Sequence, residues 1–301
     1  MSILASMPGI LSAGGIPTPL YPTWAAQTSS FSGGQIMLAA YGNGVWVAVG
    51  ATGKLATSTD GETWTQRTSS FGTTQIYGIH YGSDGYWVAT GASGKLATAT
   101  DPTGTWTQRT SNTAENIYNV WYNGTHWVAS CGNSKIVVQT DPTAAWTQYT
   151  ASSGIWYNVS YGNSLWVLVG GASGQMATAT DPTSTWTSRT SNVTGHVTEV
   201  GYLNSVWATI GNSGTVSTST NGTTWTGGSG TGLAGYGRAL SYGNGYYLAG
   251  GGTELSYATD ATSTWTLYGT DPFASAVNGI NYNGTYFIAV CEGGHLYKGT
   301  F

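Results

Sequence analysis

The chain has 301 residues, of which 7% are charged and 40% apolar, with a formal net charge of −4 and 14 tryptophans. So little charge excludes a salt-bridge-laced helical protein and a polybasic surface for nucleic acid or an anionic membrane. The apolar and aromatic content excludes a disordered chain, and no apolar run reaches the roughly 18 residues a membrane-spanning helix needs.

The chain opens on residues 1–22, which carry Ile3, Leu4, Met7, Ile10, Leu11, Ile16 and Leu20 and no charged side chain. Without a basic n-region or a long apolar core, this stretch does not read as a secretory signal. An uncharged, Pro- and Gly-broken arm with no core of its own is expected to dock on another chain. From Trp24 onward the chain is periodic. Tyr41, Tyr81, Tyr122, Tyr161, Tyr202, Tyr242 and Tyr282 recur every 39 to 41 residues, and Trp24, Trp64, Trp106, Trp146, Trp186, Trp225 and Trp265 every 39 to 42. A period near 40 built from short strands predicts a seven-bladed β-propeller, with four antiparallel strands per blade.

Blade one shows the plan: QIMLAAYG is strand a, VWVAVG strand b, KLATST strand c and TWTQRT strand d. Each run is rich in β-branched and aromatic residues and bounded by turn residues. Asn43-Gly44, Asn123-Gly124, Asn244-Gly245 and Asn283-Gly284 predict type I′ hairpins between a and b. Asp60, Asp101, Asp141, Asp181, Asn221 and Asp260 open the c–d turns, where the side chain can accept from the backbone two residues on. Two residues before each repeat tyrosine stand Ala39, Ile79, Val120, Val159, Val200, Leu240 and Ile280, an apolar series expected between blades. Trp46, Trp87, Trp127, Trp166, Trp207, Tyr247 and Phe287 hold one site on strand b and predict blade-to-blade packing. The last repeat ends GGHLYKGTF, without a strand d, so residues 23–29 are expected to supply it and close the ring. That divides the chain into an arm, 1–22, and one propeller domain, 23–301. Cys131 and Cys291 fall in equivalent places of blades three and seven, which are not neighbours, so no disulfide is expected.

The c–d segments STDGETW, TATDPTGTW, TATDPTSTW and STNGTTW resemble the Asp-box hairpin of sialidases, BNR-repeat proteins and photosystem II assembly factors. That resemblance implies a propeller and names no activity. The style of YGNGVWVAVGATGKLATSTDGETWT also resembles propeller domains of bacteriophage structural proteins. It implies a virion component, made in the host cytoplasm and meeting other virion or assembly proteins through the arm.

Sialidase chemistry needs three converging arginines. Arg67, Arg109 and Arg189 fall on outer strands of separate blades, and Arg238 alone on an inner strand. His80, His126, His196 and His295 lack metal-ligand spacing, and no nucleophile elbow, Walker loop or dinucleotide fingerprint sits in a strand-to-helix context. No catalytic residue, metal site or cofactor is expected. Lys54, Lys95 and Lys135 begin strand c in blades one to three; with Arg67 and Arg109 they predict a sector facing an anionic group or glycan. The expected function is a non-enzymatic platform, either shell decoration or a tail appendage that binds a receptor. The alternatives are a glycan-binding lectin and a BNR-type bacterial assembly factor. A cell-surface glycan is a candidate partner; nucleic acid and membrane insertion are not.

Overall fold

The computed structural model describes residues 21–301, Ala172 and Ser229 excepted. The seven apolar arm residues from Ile3 to Leu20 lie outside the described residues. Seven separate antiparallel sheets form the chain, and their innermost strands touch in a closed cycle, blade seven against blade one. Blade one runs Ile36–Gly42, Val45–Gly50, Leu55–Ser58 and Thr65–Arg67, as strands a to d. Blade seven comprises Val277–Tyr282, Phe287–Cys291 and Leu296–Thr300, with Thr23–Gln27 as its fourth strand. The register there runs from Thr23 opposite Thr300 to Gln27 opposite Leu296. The ring is therefore closed by the N-terminal strand, and no blade leaves a long bare edge at the join.

The core is not one mass but seven inter-blade seams. Val47, Val49 and Leu55 of blade one pack with Ile76, Ile79 and Trp87 of blade two. Ile288, Val290 and Leu296 of blade seven pack with Ile36, Ala39 and Trp46 of blade one. The strand b aromatics Trp46, Trp87, Trp127, Trp166, Trp207, Tyr247 and Phe287 are all buried, as is the strand a series from Ala39 to Ile280. Each strand b aromatic also meets the repeat tyrosine of its own blade, with ring centroids from 4.6 Å (Tyr282–Phe287) to 5.2 Å (Tyr41–Trp46). Burial of one such side chain stabilises by roughly 1.5–3 kcal/mol, so the seven seams dominate the energetics. In blades one, two, four and six the next blade crowds the glycine that follows the tyrosine: a Cβ on Gly42 would fall 2.2 Å from the Tyr81 ring.

The turns follow the sequence with two corrections. Asn43-Gly44 has φ values of 46° and 79°, and Asn244-Gly245 48° and 85°, as a type I′ turn requires. Asn123-Gly124 and Asn283-Gly284 do not follow it. Their asparagines stand one position earlier, where Gly42 stands in blade one, and only the glycines have positive φ. Asn123 Oδ1 instead accepts from the amides of Thr125 and His126, and Asn283 Oδ1 from those of Thr285 and Tyr286. The c–d turns behave as expected. Asp60 Oδ1 accepts from Glu62 N and Thr63 N at 2.8 Å, which holds the carboxyl down to about 2. The following tryptophan locks the hairpin, Trp64 Nε1 donating to the Gly61 carbonyl at 3.2 Å.

Blade five departs from the plan. Its sheet has three strands, Val197–Leu203, Val206–Gly211 and Val216–Ser219. The fourth is reduced to bridges joining Thr218 to Thr226 and Thr215 to Gly230. The segment reads TGGSG, and at Gly228 a Cβ would lie 1.1 Å from the Val216 carbonyl, so the backbone passes where no side chain fits. Cys131 and Cys291 are buried and unbridged, and burial pushes both thiols up to about 12.

Strand order defines two faces. The d–a and b–c loops lie on one, called the loop face; the a–b and c–d turns lie on the other, the turn face. Trp24 is half-buried, edge-on to Phe273 at 5.2 Å and tilted against Phe287 at 6.3 Å. Trp24→Ala is therefore expected to cost about 2 kcal/mol in denaturant unfolding, less than the 3–5 kcal/mol of a fully buried tryptophan. Removing residues 1–29 should lower the melting temperature sharply and removing 1–19 should not. Equal melting of the two truncations would contradict closure by the N-terminal strand.

Candidate functional site

The inner strands carry one irregularity in common. In six blades the a–b ladder slips register at the residue four positions before the repeat tyrosine. Such a bulge re-aims the side chain of the extra residue. Around the ring these residues are Met37, Tyr77, Tyr118, Tyr157, Thr198 and Asn278, and Arg238 occupies the matching place in blade six. All seven line a single cavity of about 180 Å³: the bulge turns one side chain from each of six blades toward the axis, and Arg238, just before the first paired residue of blade six, joins them. Above it on the loop face the channel widens to about 550 Å³, where Gln35, His196, Asn212 and Tyr236 join Met37, Tyr157, Thr198, Arg238 and Asn278.

The two walls of the channel differ. Tyr77, Tyr118 and Tyr157 of consecutive blades form an arc round the narrow cavity, with centroids 5.3 Å apart at each step, and His196 continues it into the mouth 5.9 Å from Tyr157. Burial raises the Tyr77 and Tyr157 hydroxyls above their usual range, and the neighbouring Tyr118 adds to it. Opposite stands Arg238, whose Nη1 donates to Asn278 Oδ1 at 2.8 Å and to Glu292 Oε1 at 2.7 Å. Asn278 Nδ2 is fixed in turn by the Ile36 carbonyl at 2.8 Å. Thr198 Oγ1 lies 2.6 Å from the Gly237 carbonyl and 3.0 Å from that of Ile210. Below the mouth, Glu199 lines the narrow cavity and its Oε2 accepts from Leu240 N at 2.8 Å. Desolvation outweighs that single bond and pushes its carboxyl up to about 8, so near neutrality Glu199 is mostly protonated.

The sequence-derived basic sector lies elsewhere on the loop face. Lys54 Nζ donates to the Phe31 carbonyl, Lys95 Nζ to that of Phe71 at 2.9 Å, and Lys135 Nζ to Thr150 Oγ1 at 2.9 Å. Arg67 and Arg109 donate through Nε to Thr57 and Thr98 of their own blades, at 2.9 and 2.8 Å. They are spread over blades one to three, and none lines the mouth or the narrow cavity. Of the arginines, only Arg238 does. His80 stacks on Trp121 at 4.5 Å, and burial takes it down to about 4. Among the described residues no group of three His, Cys, Asp or Glu side chains is placed to hold a metal ion, and no helix is long and apolar enough to cross a membrane. A second cavity, of about 570 Å³, sits at the outer edge of blade five beside the reduced strand. Its lining of threonines, glycines and Asn221 follows from that missing strand and lacks the aromatic wall and charged pair of the mouth.

Sequence reasoning passed over the ring of bulge residues, although a signal was present. Ile36 and Ala39, Ile76 and Ile79, and Ile117 and Val120 are buried pairs three residues apart. A regular strand buries every second residue, so two buried positions separated by three require one extra residue between them.

The sequence matches no protein-family model and no curated protein. Solved propellers resemble the structure over nearly its whole length. A structure described as YCF48 bound to D1 peptide has a TM-score of 0.78 at 16% identity, over 95% of this chain and 100% of that one. YCF48 from Cyanidioschyzon merolae gives 0.75 at 14%, over 92% and 98%. A virginiamycin B lyase from Staphylococcus aureus gives 0.81 at 12%, over 93% and 99%. At these identities the likeness is one of fold alone.

Glu199 gives the site a measurable signature. Its carboxyl titrates near the ordinary 4.5 in the unfolded chain and at about 8 in the folded one. Between those values the folded state binds more protons, so this group makes stability fall as pH rises. Glu199→Gln should melt above the parent at pH 8 and converge with it near pH 4.5, followed by circular dichroism. A difference that does not change with pH would contradict the buried, protonated state.

Proposed function

We propose that this chain is a non-enzymatic binding propeller, attached by its N-terminal arm and presenting the loop face for recognition. One observation carries the reading: the channel mouth and the point where the chain enters the disc lie toward opposite faces. Strand Thr23–Gln27 starts opposite Thr300, at the turn-face end of the outer strand, whereas Arg238, Tyr157 and His196 open on the loop face. Tyr21 lies against Tyr257 and Tyr268 of blade six, at centroid distances of 5.1 and 4.7 Å, so the entry point is held at the rim. A segment entering there can anchor the disc without covering the mouth.

The setting we propose is a bacteriophage virion, with Ile10 and Leu11 among the docking residues of the arm. The composition and repeat style of the blades favour that setting. Lys54, Lys95, Lys135, Arg67 and Arg109 would then form the rim of the recognition face, giving it a mild preference for anionic partners. A second reading, an assembly factor that captures a segment of another protein, is favoured by the likeness to the peptide-bound YCF48. Against an enzyme stands the composition of the mouth. Its one arginine is already paired with Glu292, and its one histidine packs on Tyr157 rather than on a nucleophile.

The reading is tested on particles purified from a lysate of the genome that encodes the chain. The full chain should be found in the virion by mass spectrometry. Ile10→Asp with Leu11→Asp should remove it, because a carboxylate is costly to bury in an apolar groove, while the isolated protein keeps its melting temperature. Absence of the parent chain from the particles, or a large drop in melting temperature, would contradict attachment through the arm. Turnover of a fluorogenic sialoside by the purified protein would contradict the non-enzymatic reading.

A further inference from the structure

We propose that the axial channel binds the terminal residue of a neutral saccharide chain, which enters end-on through the mouth and sets a pyranose ring against the tyrosine arc of the narrow part below. The inference rests on reading the mouth as a recognition site and adds the chemistry of its ligand.

The two walls of the channel complement the two sides of a pyranose. Tyr77, Tyr118 and Tyr157 present a half-buried aromatic surface that curves round three consecutive blades. The C–H face of a pyranose is apolar and packs on such a surface, while its rim carries hydroxyls that each donate and accept. The opposite wall supplies the complement. Arg238 spends Nη1 on Asn278 and Glu292, and among the described residues its Nε and Nη2 have no protein partner. Glu199 spends Oε2 on Leu240, and its second oxygen has no protein partner among the described residues. On the tyrosine side, Asn119 and Asn158 follow Tyr118 and Tyr157 on the same strands and line the same narrow cavity, and each amide offers both donors and an acceptor. Convergent mixed donors and acceptors opposite an aromatic wall suit hydroxyls better than they suit an ion.

Arg238 is neutralised at 2.7 Å by Glu292, so an incoming phosphate or carboxylate would meet a compensated cation with an acid beside it. A lysine side chain would meet the Arg238 guanidinium, and the carboxyl beneath it is protonated near neutrality. Neither sign of ligand finds an unpaired opposite charge. Burying an ion without one is costly, whereas a neutral polyol needs none.

A mouth of about 550 Å³ is within the range of small-molecule sites, and it narrows to about 180 Å³ where all seven blades converge. A ring enters such a funnel from one end. The site therefore selects the end of a glycan chain and excludes an internal residue with substituents on both sides.

The test uses the purified full chain and the methyl glycosides of glucose, galactose, mannose, fucose, N-acetylglucosamine and N-acetylgalactosamine, both anomers of each. Sialyllactose and a lysine-rich peptide complete the panel. Saturation-transfer NMR should reveal transfer to at least one neutral glycoside. Tyr118→Leu, which keeps an apolar side chain in the arc, should weaken that ligand by about tenfold or more, equivalent to about 1.4 kcal/mol. Tyr41→Ala, at an exposed tyrosine on the turn face, should leave binding unchanged and so exclude non-specific stacking. The proposal is overturned if no neutral glycoside receives transfer, or if binding survives Tyr118→Leu. It is also overturned if sialyllactose or the peptide binds through Tyr118 while the neutral glycosides do not. Such failures would leave attachment through the arm untouched, because that is read on the virion and not on the mouth.

Discussion

Everything in this molecule depends on the packing of one blade against the next. Each seam buries an aromatic from strand b, an apolar residue from strand a and the apolar faces of strand c, and no blade covers both of its faces alone. A repeat of this kind is stable only as a ring, because an open array leaves an apolar face bare at each end. Closure by Thr23–Gln27 completes blade seven, where Trp24 meets Phe273 and Phe287. The candidate site inherits that dependence, since it takes one side chain from every blade. A lost seam would open the mouth as well as expose core.

The ring also explains how a site can arise in a repetitive chain. The seam positions cannot vary, because each must match the facing blade, and they are apolar or aromatic in all seven repeats. The bulge residue escapes this constraint. It is turned off the sheet toward the axis, where it lines one cavity with its counterparts from the other blades. Met, three Tyr, Thr, Arg and Asn can therefore share one repeat position with no cost to packing. The asymmetry of the channel below the mouth, aromatic over blades two to four and polar over five to seven, is built at that single position.

This division accounts for what the sequence made legible. Period, blade number, closure and the buried series all follow from seam residues, whose types recur and whose burial alternates. The Asn123 and Asn283 turns were misread because an Asn-Gly pair names a hairpin only at the right offset from the flanking strands, and here the asparagine is one residue early. The mouth was missed because alternation assigns Tyr118 to the same face as Val120, and only the bulge separates them. Blade five was read as complete because Trp225 marks a fourth strand in every other repeat. The glycines that follow it let the backbone cross Val216 instead of pairing along it. The basic sector was read from a shared repeat position, which gives Lys54, Lys95 and Lys135 a common face but not their partners; in the structure they sit on separate blades and bond to Phe31, Phe71 and Thr150.

Closure of the ring is the claim on which the site depends, and amide hydrogen exchange of the native protein tests it most directly. Peptides spanning Thr23–Gln27 should exchange as slowly as those spanning Thr147–Thr150, the outer strand of blade three, because both are paired to a buried strand c. Exchange of the 23–27 segment at the rate of an unstructured peptide, with Thr147–Thr150 still protected, would show an open ring and remove the basis for a mouth built from seven blades.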